Sequence, residues 1–367
     1  MKGARTTQWL RGSDWLLLPI LTLVAIQPLL GPALPQSADG LLHFNRLAQL
    51  DRALHHGILF PRWVPDLGLG YGFPLFNYYP PLSYYIAEPF VLIGLGIQRA
   101  LQMAFALAIL VGSIGMYLWV RDLFGRLAGV AAAAAFAYAP YTLFNVIHRG
   151  ALAEAWGLAW IPFVFWALRR LALENPLTPS PNLSPFPREG GKGKGRGRGK
   201  EAALFYAALL LSHNVLALIA TPLFVAYAAI LWVLHGRGLR RALCLGGALA
   251  LGLGLAAFFW APAFFEREYV QISQVYTPAD ADYHNNFITL SELLSPPRSV
   301  DPALIHPPIP RSLGWPQLAL ALVAFVGLYR FSDRESCLHL VLAGVALLIF
   351  TVLMLPCAIS AWDYLPF

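Results

Sequence analysis

Apolar residues recur along this chain in stretches of roughly 20, a length at which a helix crosses the hydrocarbon core of a bilayer. Short polar or charged segments separate these stretches. The pattern predicts membrane spans near residues 15–34, 100–120, 127–146, 155–173, 201–213, 215–234, 243–264, 314–331 and 337–356. It therefore predicts an all-α fold, a polytopic transmembrane helix bundle of about nine spans.

The polar segments divide the predicted bundle into two transmembrane modules. The N-terminal module covers 15–173 and includes an outer-face loop at 35–99 with interfacial helices. An apolar piece at 82–97 is predicted as a half-helix on the outer face, because counting it as a span would place the basic loops after it on the wrong side. The C-terminal module covers 201–367 and includes an outer loop at 265–313.

Three segments are predicted to lie outside the bundle core. Residues 1–14 form a cytoplasmic N-terminus ahead of an uncleaved anchor. The stretch 174–200 is rich in Pro, Gly and basic residues and is predicted as a disordered cytoplasmic insertion. Binding of nucleic acid or anionic lipid is the alternative for this stretch. The segment 362–367 follows a span directly and is either a tail at the outer interface or the end of a truncated sequence.

Composition and charge support a membrane location. The chain is 58% hydrophobic, has a mean hydropathy of +0.58 and is only 12% charged, whereas soluble domains are about 25% charged. Most of the 26 Lys and Arg residues lie at the N-terminus and in loops near 121–126, 169–200, 235–241 and 330–335. The positive-inside rule makes these segments cytoplasmic, with the N-terminus inside and the C-terminus outside. This distribution of basic residues explains the net charge of +7 without a nucleic-acid partner. We expect a multi-pass protein of the inner membrane.

The first polar segment predicts an amphipathic helix in the outer interface. At helical spacing Asp39, His43, Arg46 and Leu50 share one face. The apolar side consists of Leu41, Phe44, Leu47, Ala48 and Leu54. Asp39 is interpreted either as the cap of this helix or as a catalytic carboxylate, and the two roles are compatible.

An aromatic segment follows at 59–81, with Trp63, Tyr71, Tyr78 and Tyr79 among its residues. Such residues form belts at membrane interfaces. Stacking on a sugar ring is the functional alternative, which makes Tyr78 and Tyr79 candidate substrate-binding residues.

Two further polar clusters lie at the predicted outer ends of apolar helices. His148 and Arg149 precede Glu154 in the first, and ionisable groups at such depth are candidates for function. The alternative is a structural ion pair between Arg149 and Glu154. The second contains His213 and Asn214, which either face a polar cavity or form a tight turn.

Four runs of sequence carry a resemblance to a known group. They are ADGLLHFNRL, HHGILFPRWVPDLGLGYGFPLFNYYPPLSYY, FAYAPYTLFNVIHRGALAEAWGLAWIPFVFWAL and LLLSHNVLAL. These runs resemble the bacterial membrane proteins named "6-pyruvoyl-tetrahydropterin synthase-related". The order of elements also resembles the GT-C superfamily of polyprenyl-phosphate-sugar glycosyltransferases. The pterin-synthase name itself has no support in the residues, since the histidine spacings give no three-histidine zinc site.

The resemblance to GT-C enzymes implies transfer of a sugar from a polyprenyl-phosphate donor to a glycan, lipid or protein acceptor at the outer face. Asp39 occupies the place of the essential acid in the first outer loop and is the expected base, with inversion at the anomeric carbon. Arg149, with His148, would stabilise the phosphate. His43 is a second catalytic candidate, which would orient Asp39 or contact phosphate, and Glu154 is the third.

Other interpretations remain open from the sequence. Arg46, His213 and Asn214 are expected to bind substrate. No paired-acid motif follows Asp39, so a Mg²⁺ or Mn²⁺ ion held by Asp39, Glu154 and a phosphate is an alternative rather than the expectation. A lipid-linked sugar transporter or flippase, and a noncatalytic membrane assembly protein, are the competing functions.

Overall fold

The computed structural model describes residues 14–173, 194–271, 282–297, 301, 304, 308–309, 311–327 and 334–364. Across these ranges the chain is helical and contains no strand, which confirms the all-α prediction. The predicted cytoplasmic N-terminus and most of the predicted insertion lie outside the described residues. The helix that follows the insertion begins at Lys194, inside the stretch for which we predict disorder.

The α-helices of the described ranges fall into an N-terminal and a C-terminal series. The first series is α1 (Asp14–Ile26), α2 (Gly40–His55), α3 (Leu75–Tyr78), α4 (Leu82–Phe90), α5 (Gly96–Phe124), α6 (Arg126–Ala137), α7 (Pro140–Phe144) and α8 (Leu152–Leu173). The second is α9 (Lys194–Ser212), α10 (Asn214–Leu234), α11 (Leu239–Leu255), α12 (Ala257–Phe265), α13 (Leu290–Leu293), α14 (Trp315–Gly327), α15 (Arg334–Met354) and α16 (Ile359–Asp363). Single π-helical turns at Val91–Leu95 and Asn145–Arg149 follow α4 and α7.

Several helices have the length and composition to cross a membrane. In the part of the chain that the structure describes, three helical runs qualify: Leu82–Phe124, Asn214–Leu234 and Arg334–Met354. The number rises to five if the bent pairs α6 with α7, and α11 with α12, each count as one span. Only 11% of the apolar window in α15 is buried within the protein. A helix this apolar and this exposed suits a lipid environment, and such helices are typical of a membrane protein.

The run from α4 into α5 turns back on itself. The backbone at Gly94 has a φ of 90° and is not helical. The rings of Tyr84 in α4 and Phe105 in α5 lie 5.7 and 6.5 Å from the same imidazole of His43. A continuous helix would separate Tyr84 from Phe105 by about 30 Å. Helix α4 therefore folds back along α5, and the outer-face position expected for 82–97 stays a prediction.

Two apolar cores meet at α8. One core joins α2, α4 and α5 to the first half of α8, and Phe76, Tyr84 and Trp156 are its largest fully buried side chains. The other lies between the second half of α8 and helices α9, α10 and α11. Helix α8 therefore belongs to both cores, and the polar residues at its N-terminus lie at the end that packs in the first.

Helix α2 buries a different face from the one its sequence suggests. His43, Leu47 and Leu50 point into the protein, whereas Leu41 and Phe44 from the predicted apolar side are exposed. Two of the buried residues, His43 and Leu50, belong to the face that we predict to be polar. The imidazole is accommodated because it finds hydrogen-bond partners in the core.

Candidate functional site

The segment before α2 is joined through its backbone to the π-turn before α8. The amides of Ala38 and Asp39 donate to the carbonyl oxygens of His148 and Arg149 at 3.2 and 2.8 Å. Gly150 makes this approach feasible, since its φ is 70° and a Cβ there would lie 3.2 Å from the Gly40 nitrogen. The two segments, which are distant in sequence, therefore form one surface.

Four side chains on this surface form what we call the charged cluster: Asp39, Tyr141, Arg149 and Glu154. Arg149 Nη1 donates to Glu154 Oε2 at 2.6 Å, and Arg149 Nε lies 3.8 Å from Asp39 Oδ2. The Tyr141 hydroxyl donates to Glu154 Oε1. Glu154 is only 8% exposed, whereas Asp39 and Arg149 are 34% and 36% exposed. The buried acid therefore holds the arginine, and the arginine and Asp39 face solvent.

Local structure explains how the charged cluster is presented. Arg149 ends a π-helical turn, a feature that often occurs at functional sites. Asn145 starts the same turn and accepts a hydrogen bond from Arg149 at 3.3 Å. Glu154 lies in the first turn of α8, where the helix dipole favours a negative charge.

Asp39 occupies the N-cap position of α2, but its carboxylate makes no capping hydrogen bond. A side-chain cap requires an extended backbone at the N-cap residue. The φ and ψ of Asp39, −101° and −5°, are helical instead. The structure therefore argues against the helix-cap interpretation of Asp39, which the sequence allows alongside the catalytic one. Asp39 contacts Arg149 instead of the helix end, and its side chain remains available to a ligand.

His43 connects three helices from inside the protein. Its Nε2 accepts from the Leu152 amide at 3.2 Å, so its Nδ1 carries the proton and donates to the Tyr84 hydroxyl at 2.7 Å. Burial, together with the nearby charges of Arg46 and Arg149, lowers the pKa of His43 to about 3. The imidazole is therefore neutral and fully engaged, an arrangement that favours a positioning role over proton transfer.

Arg46 and the paired tyrosines lie beside His43. The Arg46 guanidinium sits 4.0 Å from the centre of the Tyr79 ring and also contacts the Tyr84 hydroxyl at 3.4 Å. Burial raises the pKa of Tyr79, which keeps its hydroxyl protonated. Tyr78 points elsewhere and donates to the Glu266 carbonyl oxygen at 2.6 Å. The two adjacent tyrosines therefore contact different parts of the protein, Tyr79 the Arg46 side chain and Tyr78 the backbone at Glu266.

The other three candidates, His148, His213 and Asn214, each have partners outside the charged cluster. His148 packs on Phe144, with ring centres 6.0 Å apart. His213 Nδ1 caps α10 by accepting from the Leu216 amide at 3.0 Å, as in the tight-turn interpretation. His213 also packs closely on α8: a Cβ added to Gly157, one helical turn beyond Glu154, would lie 2.9 Å from the His213 Cβ. Asn214 is exposed and its Oδ1 accepts from the amide of the next residue.

The metal alternative involves the two acids of the charged cluster. Asp39 and Glu154 are both turned toward Arg149. Over the ranges that the structure describes, no group of three or more His, Cys, Asp or Glu side chains is arranged to hold a metal ion. A metal held by Asp39, Glu154 and a substrate phosphate stays a prediction.

An apolar groove of about 470 Å³ opens between α4, α9 and α12. Leu59, Leu82, Tyr85, Leu211 and Phe258 are among its lining residues, and its surface is almost entirely apolar. Leu211 precedes His213 by two positions. The groove therefore runs close to the turn that faces α8, and its chemistry suits a hydrocarbon chain.

Sequence reasoning missed Tyr141, Asn145 and Tyr84 as members of this region. Tyr141, Asn145 and Arg149 recur every four residues, so their shared helical face was a usable signal. Tyr84 gave no such signal, because its partner His43 is 41 positions away.

Comparison with known proteins adds no assignment: no protein-family model matches the chain, and no curated protein matches it.

Proposed function

We propose that this protein transfers a sugar from a polyprenyl-phosphate donor to a glycan, lipid or protein acceptor at the outer face of the inner membrane. The observation that carries the proposal is that Arg149 contacts both Asp39 and Glu154 at a solvent-facing site. The resemblance to GT-C glycosyltransferases supports the same activity. The proposal includes the nine-span topology, with the N-terminus inside and the site outside.

Arg149 would stabilise the phosphate that leaves with the lipid. A guanidinium offers paired donors that match phosphate oxygens. Glu154 and Asn145 already hold this side chain from the protein side. Preorganised charge of this kind needs no rearrangement when negative charge develops on the leaving oxygen. Glu154 would therefore act through Arg149.

Asp39 would remove the proton from the acceptor hydroxyl. The acceptor oxygen forms a bond to the anomeric carbon, the bond from that carbon to the phosphate oxygen breaks, and polyprenyl phosphate departs. One displacement of this kind inverts the anomeric centre. His43 and Arg46 would hold helix α2, and hence Asp39, in place through Tyr84.

A lipid-linked donor also fits the apolar surroundings. Its hydrocarbon chain would lie in the groove lined by Leu82, Leu211 and Phe258, in contact with the bilayer. His213 and Asn214 lie two and three positions after Leu211 and would meet the polar end of the donor. His148, beside Arg149, would contribute to phosphate binding.

The test is a transfer assay with the full chain in liposomes. Radiolabelled polyprenyl-phosphate sugars are supplied together with lipid, glycan and protein acceptors. We expect label on an acceptor, and a rate lower by about 10²- to 10⁴-fold for Asp39→Asn. Asp66→Asn is the matched control, because this exposed carboxylate pairs with Arg52 of helix α2 and lies outside the charged cluster.

Other outcomes would overturn the proposal. Full transfer by Asp39→Asn at normal protein levels would remove Asp39 as the base. Movement of the labelled lipid across the membrane without covalent change would make the protein a transporter. Neither transfer nor movement with any donor would favour an assembly role.

A further inference from the structure

A second pocket lies away from the charged cluster and has a volume of about 300 Å³. We call it the aromatic pocket; it is lined by Arg62, Trp63, Asn77, Tyr78, Glu266 and Tyr269, among others. Two segments far apart in sequence build it. Tyr78 donates to the Glu266 carbonyl oxygen at 2.6 Å, and Asn77 Nδ2 donates to Glu266 Oε2 at 2.9 Å.

Two aromatic side chains present open faces at this pocket. Trp63 is 57% exposed and Tyr269 is 78% exposed, although both line the cavity. Gly72 leaves room for the indole, since a Cβ there would collide with Trp63 Nε1. Paired backbone hydrogen bonds between Val64 and Phe73, each 2.9 Å, hold together the two segments that carry Trp63 and Gly72. Aromatic faces held in this way suit ligands that have apolar faces and polar edges.

The polar lining contains a buried group without a partner. Asn77 is 6% exposed, and its Oδ1 makes no hydrogen bond within the described part of the chain. An unpaired buried amide oxygen is destabilising, so a ligand donor would be stabilising at this position. Next to it, the Glu266 carboxylate is only partly used, because Arg62 approaches it no closer than 3.9 Å.

Charge narrows the class of ligand. Arg62 and Glu266 carry opposite charges and face each other, so the pair leaves the pocket close to neutral. A phosphate would meet the Glu266 carboxylate, and a cation would meet the Arg62 guanidinium. A neutral ligand with several hydroxyl groups meets neither penalty and can bond to Asn77 and Glu266 together.

We infer that the aromatic pocket binds a neutral saccharide. One sugar ring stacks on Trp63 or Tyr269, and its hydroxyls donate to Asn77 Oδ1 and Glu266. The extended backbone at Tyr79 sends Tyr78 toward this pocket and Tyr79 toward Arg46 of helix α2. Identifying the saccharide as the acceptor glycan rests on the proposed function, whereas the binding itself does not.

The test is calorimetric titration of the full chain in detergent with maltotriose, cellotriose, chitotriose and mannotriose. We expect at least one to bind. Tyr269→Ala should weaken that binding about tenfold, which corresponds to the roughly 1.4 kcal/mol that an aromatic contact contributes. Tyr71→Ala is the matched control, because this tyrosine is 87% exposed and lies outside the lining.

A second pair of variants tests the polar side. Glu266→Gln keeps an oxygen for Asn77 but loses the charge, and should weaken saccharide binding by about tenfold. Glu268→Gln, two positions away and exposed, should leave it unchanged. Inorganic phosphate is titrated as a separate probe and should not bind.

Several results would overturn the inference. These are binding of none of the four saccharides, binding that survives both Tyr269→Ala and Glu266→Gln, and phosphate binding that is lost in Arg62→Gln. Saccharide binding with no sugar transfer would contradict the proposed function while upholding the pocket, so the two failures are distinguishable.

Discussion

Asp39 and Arg149 contact each other twice. The Asp39 amide donates to the Arg149 carbonyl oxygen at 2.8 Å, and the side chains approach to 3.8 Å. The backbone contact fixes the distance between the segments, so the longer side-chain contact is adjustable. A substrate oxygen can therefore enter between the carboxylate and the guanidinium without separating the two segments.

Gly150→Ala tests the backbone contact. Left-handed backbone costs an alanine about 1 to 2 kcal/mol, and the new Cβ would also lie 3.0 Å from the Ser37 Cβ. Gly57→Ala is the matched control, because its φ is 78° and nothing lies within 4 Å. We expect thermal unfolding to show a larger loss for Gly150→Ala, with lower transfer activity as well. Equal losses would mean that Gly150 matters only for its φ.

Glu154→Gln tests how Arg149 is held. The variant keeps an acceptor for Tyr141 but loses the charged contact with Arg149. Loss of a hydrogen bond to a charged group costs about 1.5 to 3 kcal/mol. We expect a lower thermal midpoint and slower transfer, with Asp39 still in place. Unchanged transfer would show that Glu154 has no part in positioning Arg149.

Tyr84→Phe tests the support of helix α2. It leaves the buried Nδ1–H of His43 without its acceptor, which costs about 1 to 3 kcal/mol. Tyr85→Phe removes the neighbouring hydroxyl, whose contact with the Leu59 carbonyl is exposed, and should cost less. Thermal unfolding of the two variants side by side provides the comparison. A larger loss for Tyr85→Phe would contradict the role of the His43–Tyr84 pair.

Acid should destabilise the protein through His43. Its pKa falls from 6.5 to about 3 in the folded state, because of burial and then the charges of Arg46 and Arg149. Between these values the unfolded state binds the extra proton, so stability decreases as pH falls through this window. The decrease is up to about 1.4 kcal/mol per pH unit.

Thermal midpoints measured from pH 7 to pH 4 in wild type and His43→Gln test this effect. The variant should lose less stability than wild type as the pH is lowered. His56→Gln is the control, since the His56 side chain is exposed. A wild-type slope retained in His43→Gln would assign the acid sensitivity to other groups.

The sequence predicted much of the local structure and part of the site. Helix α2 follows from residue periodicity, and the rarity of charge singles out Asp39, Arg149 and Glu154, which the structure brings together; their catalytic roles stay predictions. The buried face of α2 did not follow, because His43 became an inside residue only through partners on α4 and α8. The contacts of Glu266 with Asn77 and Tyr78 did not follow either, because they join residues 189 and 188 positions apart in the sequence.

The sequence by itself determined that this is an all-helical protein with apolar helices and a few polar segments between them. Apolar periodicity and segment length are local properties, and they specify helices regardless of how the helices pack. Only the tertiary structure decided that Asp39 pairs with Arg149 rather than capping α2. That pairing depends on the close approach at Gly150 and on the packing of α2 against α4 and α8. Contacts of this kind are set by the shapes of several helices at once, so no single stretch of sequence encodes them.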